Sequence, residues 1–235
     1  PSTEKIEKAL DSIPSYEEID DVIVIDKENK TVTLNKYNDN DVVISLGGIA
    51  KGYALDVAYS YLKQFNYPCI FDSGSSSMAM IGNNPLKKTG SYTISFRNPN
   101  NPSTLLPPIS LNGDHFISTS GSYEKYFEYE DNGTIKKMHH IYDANTGYSN
   151  DYIQSVSLVS NNCSLAILDA LTTAIFNIQD KDEILSLIST IKETYNCNLS
   201  FIMINQNNVT MSKSFKDIMV SDFDDSYNVT VIDNY

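Results

Sequence analysis

Cys163-Ser-Leu-Ala-Ile-Leu-Asp-Ala-Leu-Thr-Thr-Ala-Ile-Phe176 carries an apolar residue at most positions of a helix, leaving almost no face suited to water. A helix of that kind is buried, and other elements must surround it. Working outward, helices are expected over 2–10, 49–65 and 182–195. The second of these rests on Ala54, Val57, Ala58, Tyr61, Leu62 and Phe65 recurring at helical spacing. Hairpins are expected from 22–26 with 31–35 and from 126–130 with 134–140, each across a polar turn. Further strands are expected over 69–72, 76–81, 91–96, 115–118, 153–159, 199–205, 208–212 and 229–232. Strands dominate but do not alternate regularly with helices. That pattern predicts an α+β fold of mostly antiparallel sheet with packed helices, not a doubly wound one. No internal repeat is visible, and the Asn- and Pro-rich stretch 98–108 reads as a surface loop.

Asp169 is the anomaly within the apolar helix. A carboxylate there is costly unless it is paired or bound to a cation. Thr173 follows four residues later, on the same helix face. A carboxylate and a hydroxyl so placed suit a hard, oxygen-preferring cation such as Mg²⁺. The alternative is that Asp169 pairs with a buried lysine or caps a neighbouring loop, while Thr172 and Thr173 bond back to helix carbonyls.

Composition narrows the partners. The 235 residues are 41% hydrophobic and 20% charged, with a net charge of −13. The 17 Lys and Arg are scattered, so nucleic acid is not an expected partner. An anionic ligand would need a cation or a cradle of backbone N–H groups. No run of 18 apolar residues exists to span a membrane. No signal peptide is visible, and a chain beginning at Pro1 reads as a trimmed or mature fragment. Cys69, Cys163 and Cys197 are odd in number and widely spaced, which suggests small buried hydrophobes rather than a disulfide framework or zinc site.

Three other segments could bear chemistry. Ser45-Leu-Gly-Gly-Ile-Ala-Lys-Gly-Tyr-Ala-Leu-Asp56 opens a helix with Gly47 and Gly48, and places Lys51 in a first turn where the dipole disfavours a cation. A bound phosphate would explain that lysine; a plain turn with a solvated lysine is the competing view. Asp72-Ser-Gly-Ser-Ser-Ser-Met-Ala-Met-Ile-Gly82 sets small polar residues between two strands, where they could meet a ligand or simply form an exposed turn. Thr119-Ser-Gly-Ser-Tyr-Glu-Lys-Tyr126 offers another hydroxyl-rich glycine turn. His139-His-Ile-Tyr-Asp-Ala-Asn-Thr-Gly147 pairs His140 with Asp143, which could act as base and orienter, or belong to a solvated hairpin.

In their order along the chain these segments resemble the ApbE-like FAD:protein FMN transferases. That family carries a Leu-Gly-Gly-Ile-Ala-Lys-Gly-Tyr-Ala-x-Asp stretch, a Gly/Ser loop, Thr-Ser-Gly-x-Tyr, His-Ile-x-Asp-Pro-x-Thr-Gly and Asp-Ala-x-x-Thr-Ala. Leu46–Asp56 matches the first almost letter for letter. The resemblance implies an ApbE-like, T-fold-related architecture over 1–235. Asp169 and Thr173 would ligate Mg²⁺ by side chain and Gly48 by its carbonyl. Lys51, Ser45, Gly74, Ser75, Ser76, Ser77, Thr119, Ser120, Gly121 and Ile141 would line the flavin nucleotide. His140 would be the catalytic base, with Asp143 in the same loop. The implied reaction moves FMN from FAD to a Ser or Thr hydroxyl of an acceptor flavoprotein and releases AMP. Hydrolysis of FAD at the same site, or non-catalytic binding of a flavin or partner, are the alternatives. Ser45 stands where the family commonly has an acidic residue, Ser75 where a second glycine is frequent, and Ala144 where proline is usual. Family members carry a further strand-rich segment ahead of the position of Pro1, with residues that touch the flavin ring, so the domain is expected to be N-terminally truncated. Relatives are commonly exported lipoproteins, which implies an extracytoplasmic or membrane-anchored setting through a lipid anchor outside this chain.

Overall fold

The computed structural model of the chain describes residues 3–74, 76–123, 125–131, 133–233 and 235. It divides into two compact units, Pro1–Leu46 with Tyr142–Ser149, and Gly47–Ile141 with Asn150–Tyr235.

The first unit holds helices α1 (Thr3–Leu10) and α2 (Ile19–Val22) and strands β1 (Ile23–Asp26) and β2 (Thr31–Leu34). Val22 closes α2 instead of opening the strand, and the Ser2 start expected for the first helix lies outside the described residues. β1 and β2 form the expected antiparallel hairpin, from Ile23↔Leu34 to Asp26↔Thr31. Its turn is fixed by Asp26 Oδ1, which accepts the N–H groups of Glu28 at 3.0 Å and Asn29 at 2.9 Å. In the 142–149 loop, Gly147 has φ +72, and a Cβ there would come within 2.5 Å of Ile6 Cγ2. Both conditions demand glycine.

The second unit begins with α3 (Ala50–Lys63), β3 (Cys69–Ser73), β4 (Ser77–Ile81), β5 (Tyr92–Ile94), β6 (Ile109–Leu111) and β7 (His115–Gly121). A hairpin of β8 (Tyr126–Asp131) and β9 (Thr134–His139) follows, then β10 (Ser155–Ser160), α4 (Leu165–Phe176) and α5 (Lys181–Tyr195). The chain continues through β11 (Ser200–Asn205), β12 (Asn208–Ser212), α6 (Lys213–Ile218) and β13 (Asn228–Ile232). A seven-stranded sheet runs β13-β12-β11-β10-β7-β4-β3. Its pairings are antiparallel except β12 with β13, so the α+β expectation holds.

Period-2 alternation splits the core between the two faces of this sheet. Ala79, Phe116, Val156, Leu158, Phe201 and Met203 join the core formed with α3, α4 and α5. Met80, Ile117, Val159, Ile202 and Ile204 join the opposite core, formed with β5, β6 and α6. The helix singled out by its apolar sequence is the centre of the first core, with Leu165, Leu168, Ile175 and Phe176 fully buried.

Two expectations are corrected. Thr119, Ser120 and Gly121 are not a turn but the last residues of β7, paired with Ser157, Val156 and Ser155 of β10. Small hydroxyl residues mimic a turn in sequence, yet they fit a strand whose side chains meet other polar groups. Cys163 and Cys197 are buried as expected, but they are joined in a disulfide with Cα atoms 5.0 Å apart; Cys69 stays free. The bridge ties the start of α4 to the end of α5 across a separation of 34 residues. Closing a loop of that size in the unfolded chain contributes about 3–4 kcal/mol. Asparagines lace the same corner: Asn198 N–H donates to Asn162 Oδ1 at 2.7 Å, and Asn162 Nδ2 to Asn196 O at 2.9 Å.

Candidate active site around Asp169

Asp169 projects from α4 between α3 and β7, and is 2% exposed. Its Oδ2 accepts the Gly52 N–H at 3.0 Å. Gly52 lies in the first turn of α3, whose N-cap Ile49 supplies no side-chain bond, so the carboxylate caps this helix from outside. Asp169 Oδ1 has longer contacts, with Lys51 Nζ at 3.7 Å and Ser118 Oγ at 3.5 Å. That oxygen therefore keeps capacity for a closer partner.

Lys51 is partly exposed, with 39% of its side chain open, and its Nζ also reaches Gly47 O at 3.4 Å. The expected oddity of a first-turn cation is thus resolved by a carboxylate from the next helix. The alternative in which Asp169 pairs with a lysine and caps a neighbour is realised in this geometry. The lysine concerned lies at the mouth of the site rather than in the core.

Thr173 donates its hydroxyl to Asp169 O at 3.1 Å, and Thr172 does the same at 3.0 Å. Back-bonding uses each hydroxyl's proton and leaves oxygen lone pairs. Thr173 Oγ1 lies only 3.1 Å from where a Cβ on Gly48 would sit. Gly48, Lys51, Asp169 and Thr173, which the sequence singles out from segments far apart, are therefore brought together where α3 meets α4.

The sheet supplies the polar floor. Ser120 Oγ donates to Thr172 Oγ1 at 3.0 Å, and Ser118 lies 3.5 Å from both Asp169 and Thr172. Ser77 pairs with Ser118 in register on the same face, is 1% exposed, and its Oγ has no hydrogen-bond partner among the described residues. Gly74 turns with φ +64 ahead of it, and Ser76 Oγ donates to Ser73 O at 3.3 Å. Ser75 lies outside the described residues. Thr119 points to the opposite face, where it shares a 2.8 Å bond with Ser157 Oγ. It lines a cavity of about 250 Å³ there with Asp72, Ser76, Arg97 and Tyr123. Gly121 ends β7, and Ile141 is 8% exposed in the main core, so its side chain packs rather than faces a ligand. Ser45 belongs to the first unit and is exposed.

The two histidines of the hairpin end differ sharply. His139 is 3% exposed; its Nε2 faces Asn150 O at 2.9 Å, and its Nδ1 accepts the Ile141 N–H at 3.3 Å. A carbonyl can only accept, so the proton sits on Nε2. Burial lowers its pKa below the ordinary histidine value, and it is a neutral structural residue. His140 is exposed, and its Nδ1 faces Lys125 O at 3.2 Å. The same logic puts a proton on Nδ1, so that in the neutral ring Nε2 carries the lone pair, the tautomer of a general base. Its orienter is thus a backbone carbonyl. Asp143, expected in that role, belongs to the first unit and spends its Oδ1 on Asn145 N at 2.9 Å and Asn145 Nδ2 at 3.2 Å.

The donor set fits a hard cation that keeps water or ligand oxygens: one buried carboxylate with a loosely engaged oxygen, one hydroxyl, and a glycine where a side chain would crowd that hydroxyl. Among the described residues no three His, Cys, Asp or Glu side chains cluster into an all-protein metal cage. Sequence reading passed over Asp56 and Gly52, the residues that dock α3 on α4. Their partners lie more than 100 residues away, as in Ser164 to Asp56, and only their common stripe with Gly48 hinted at it.

The chain is similar to known proteins in sequence and in fold. A FAD:protein FMN transferase of Klebsiella pneumoniae (strain 342) is 33% identical over 119 residues, 50% of this chain and 34% of that protein. The crystal structure of the ApbE protein from Thermotoga maritima superposes with a TM-score of 0.73 at 28% identity, covering 94% of this chain and 65% of that one. The apo flavinyl transferase ApbE of Pseudomonas stutzeri shares the fold, with a TM-score of 0.64 at 20% identity over 95% of this chain and 63% of its own. The chain thus spans about a third of the length of the curated relative it matches, and under two thirds of the solved Thermotoga chain. The family model described as the ApbE family matches residues 1–198, which takes in every segment of the site, and the chain belongs to that family.

Proposed function

We propose that the chain transfers FMN from FAD to a Ser or Thr hydroxyl of an acceptor flavoprotein, releasing AMP, with Mg²⁺ as cofactor. The observation that carries this is Asp169: a buried carboxylate that meets Lys51 and the Gly52 N–H across the α3–α4 contact of an ApbE-family chain, where Gly48 also meets Thr173. Asp169 and Thr173 by side chain, and Gly48 by its carbonyl, would hold the cation. When bound, it neutralises the pyrophosphate and polarises the phosphorus next to FMN. Lys51 lies at the mouth of the site and offsets phosphate charge in a protein of net charge −13. His140 Nε2 takes the proton of the acceptor hydroxyl; that oxygen bonds to the FMN phosphorus, and the phosphorus–oxygen bond to AMP breaks. The Cys163–Cys197 bridge supports an oxidising, extracytoplasmic setting.

The test is to incubate the chain with FAD, Mg²⁺ and an acceptor domain carrying a Ser or Thr flavinylation site. Covalently yellow acceptor and stoichiometric AMP are expected, and AMP without labelled acceptor would instead identify hydrolysis. His140→Ala should slow labelling about a hundredfold, the lower range for loss of a general base, with FAD binding retained. Labelling at the wild-type rate by that variant would place the base elsewhere.

A further inference from the structure

The contact between α3 and α4 is built by two carboxylates exchanged in opposite directions. Asp169 of α4 caps the first turn of α3 through the Gly52 N–H at 3.0 Å. Asp56 of α3 caps the first turn of α4: its Oδ1 accepts Leu165 N–H at 2.8 Å, and its Oδ2 accepts Ala166 N–H at 2.9 Å and the Ser164 hydroxyl at 2.5 Å. Neither helix is capped by its own N-cap side chain, Ile49 or Ser164. Free N–H groups at a helix start need acceptors, and here each helix takes them from the other.

Gly48, just ahead of α3, and Gly52 and Asp56 on it fall four residues apart and lie in order along α4. Toward the N-terminal end of this row, Gly48 meets Thr173. In the middle, Gly52 lies against the Leu165 carbonyl so closely that a Cβ would fall 2.1 Å from it. Asp56 closes the far end. The order along α4 runs opposite, from Thr173 back to Leu165, so the helices pack antiparallel. Beside the apolar packing of Leu55 and Tyr59, Asp56 ties that end of α3 to α4 by three hydrogen bonds, and a slide of α3 along α4 would break the Gly52–Asp169 bond as well.

We propose that Asp56 is a positioning residue: it locks the α3–α4 register that holds Asp169 opposite Gly52 and Lys51. Its consequence for flavin chemistry rests on the function proposed above; its effect on Asp169 does not. Both Asp56 oxygens are engaged by the start of α4, so its influence passes through the Gly52–Asp169 bond.

The test compares Asp56→Ala, Asp56→Asn and the double variant Asp56→Ala/Ser164→Asp, in which α4 gains a carboxylate cap of its own. Two quantities are read beside thermal stability. One is hydrogen exchange of the Gly52 amide without ligand; the other is the Mg²⁺ concentration that half-saturates FAD binding. Asp56→Ala should melt earlier, exchange the Gly52 amide at least about tenfold faster, and need at least about tenfold more Mg²⁺, the scale seen when a group supporting a metal ligand is lost. The double variant should regain the melting temperature without regaining either of the other two. If it restores Gly52 protection as well, Asp56 is only a helix cap and the proposal is overturned. Wild-type Gly52 exchange in Asp56→Ala would overturn it equally. Should Asp56→Ala fail to fold, Asp56→Asn is scored on the same two measurements, since its amide nitrogen cannot accept the N–H its oxygen did. Absence of Mg²⁺-dependent FAD binding in the wild type would sink the flavin function, while the exchange measurement would still decide the role of Asp56.

Discussion

Asp169→Asn should leave the chain folded and slow flavin transfer about a thousandfold, the effect of losing several kcal/mol of charge stabilisation at the reacting phosphate. The asparagine has the volume of the aspartate and keeps an oxygen for the Gly52 N–H, which Asp169 now accepts at 3.0 Å. It lacks the charge that faces Lys51 at 3.7 Å and would hold a cation. Asp169→Ala removes both features. It leaves the Gly52 N–H without its acceptor, which costs about 1–3 kcal/mol of stability, in addition to the lost activity. Comparing the two by labelling rate and thermal melt separates the charge from the packing. Transfer by Asp169→Asn near the wild-type rate would show that the carboxylate's charge is not used.

Gly52→Ala should cause the largest loss of stability from a single methyl group. Alanine is the better helix former by about 1 kcal/mol. Against that, its Cβ would fall 2.1 Å from Leu165 O, 2.5 Å from Leu165 C and 2.8 Å from Ala166 N. These are backbone atoms of the neighbouring helix and cannot rotate aside. Relief requires α4 to back away, which strains its bonds to Asp56 and the Gly52 N–H bond to Asp169. Overpacking of this kind costs about 3 kcal/mol or more. The net of about 2 kcal/mol corresponds to a melting temperature lowered by roughly 4–8 °C in a protein of this size. Calorimetry of the variant checks it; an unchanged or raised melting temperature would mean that the helices are not in contact at Gly52.

Much of the fold was legible in short-range pattern. The apolar stretch ending at Phe176 becomes the buried helix α4, and the strands fall within a residue or two of expectation in most cases. What escaped was short or depended on distant partners. The three-residue β6 and the six-residue α6 are too brief to show a period, although Ser212 caps α6 by accepting the Phe215 N–H at 3.1 Å. The disulfide escaped because its cysteines lie 34 residues apart and a third cysteine made the count odd. Thr119, Ser120 and Gly121 looked like a turn because hydroxyls and glycine favour turns. Their pairing with β10 prevails.

For the site, the chemically odd residues were the readable ones: Asp169 among apolar neighbours and Lys51 at a helix start. His140 was singled out by its spacing to Asp143 and by the family resemblance, but what separates it from His139 was not readable, since the two differ only in what surrounds them. Burial favours the neutral form of His139 and the Asn150 carbonyl places its proton on Nε2, while the Lys125 carbonyl orients His140. Asp56 was visible in the motif, but its task was not, because its partners belong to a helix more than 100 residues further on.

The most direct test of flavin transfer at the Asp169 site is the intact mass of an acceptor domain after incubation with the wild-type chain and FAD, with Mg²⁺ in one sample and a chelator in the other. The account predicts that the acceptor gains the mass of one FMN, joined through its phosphate, in the Mg²⁺ sample alone. Equal labelling in the chelated sample, or none in either, would contradict it.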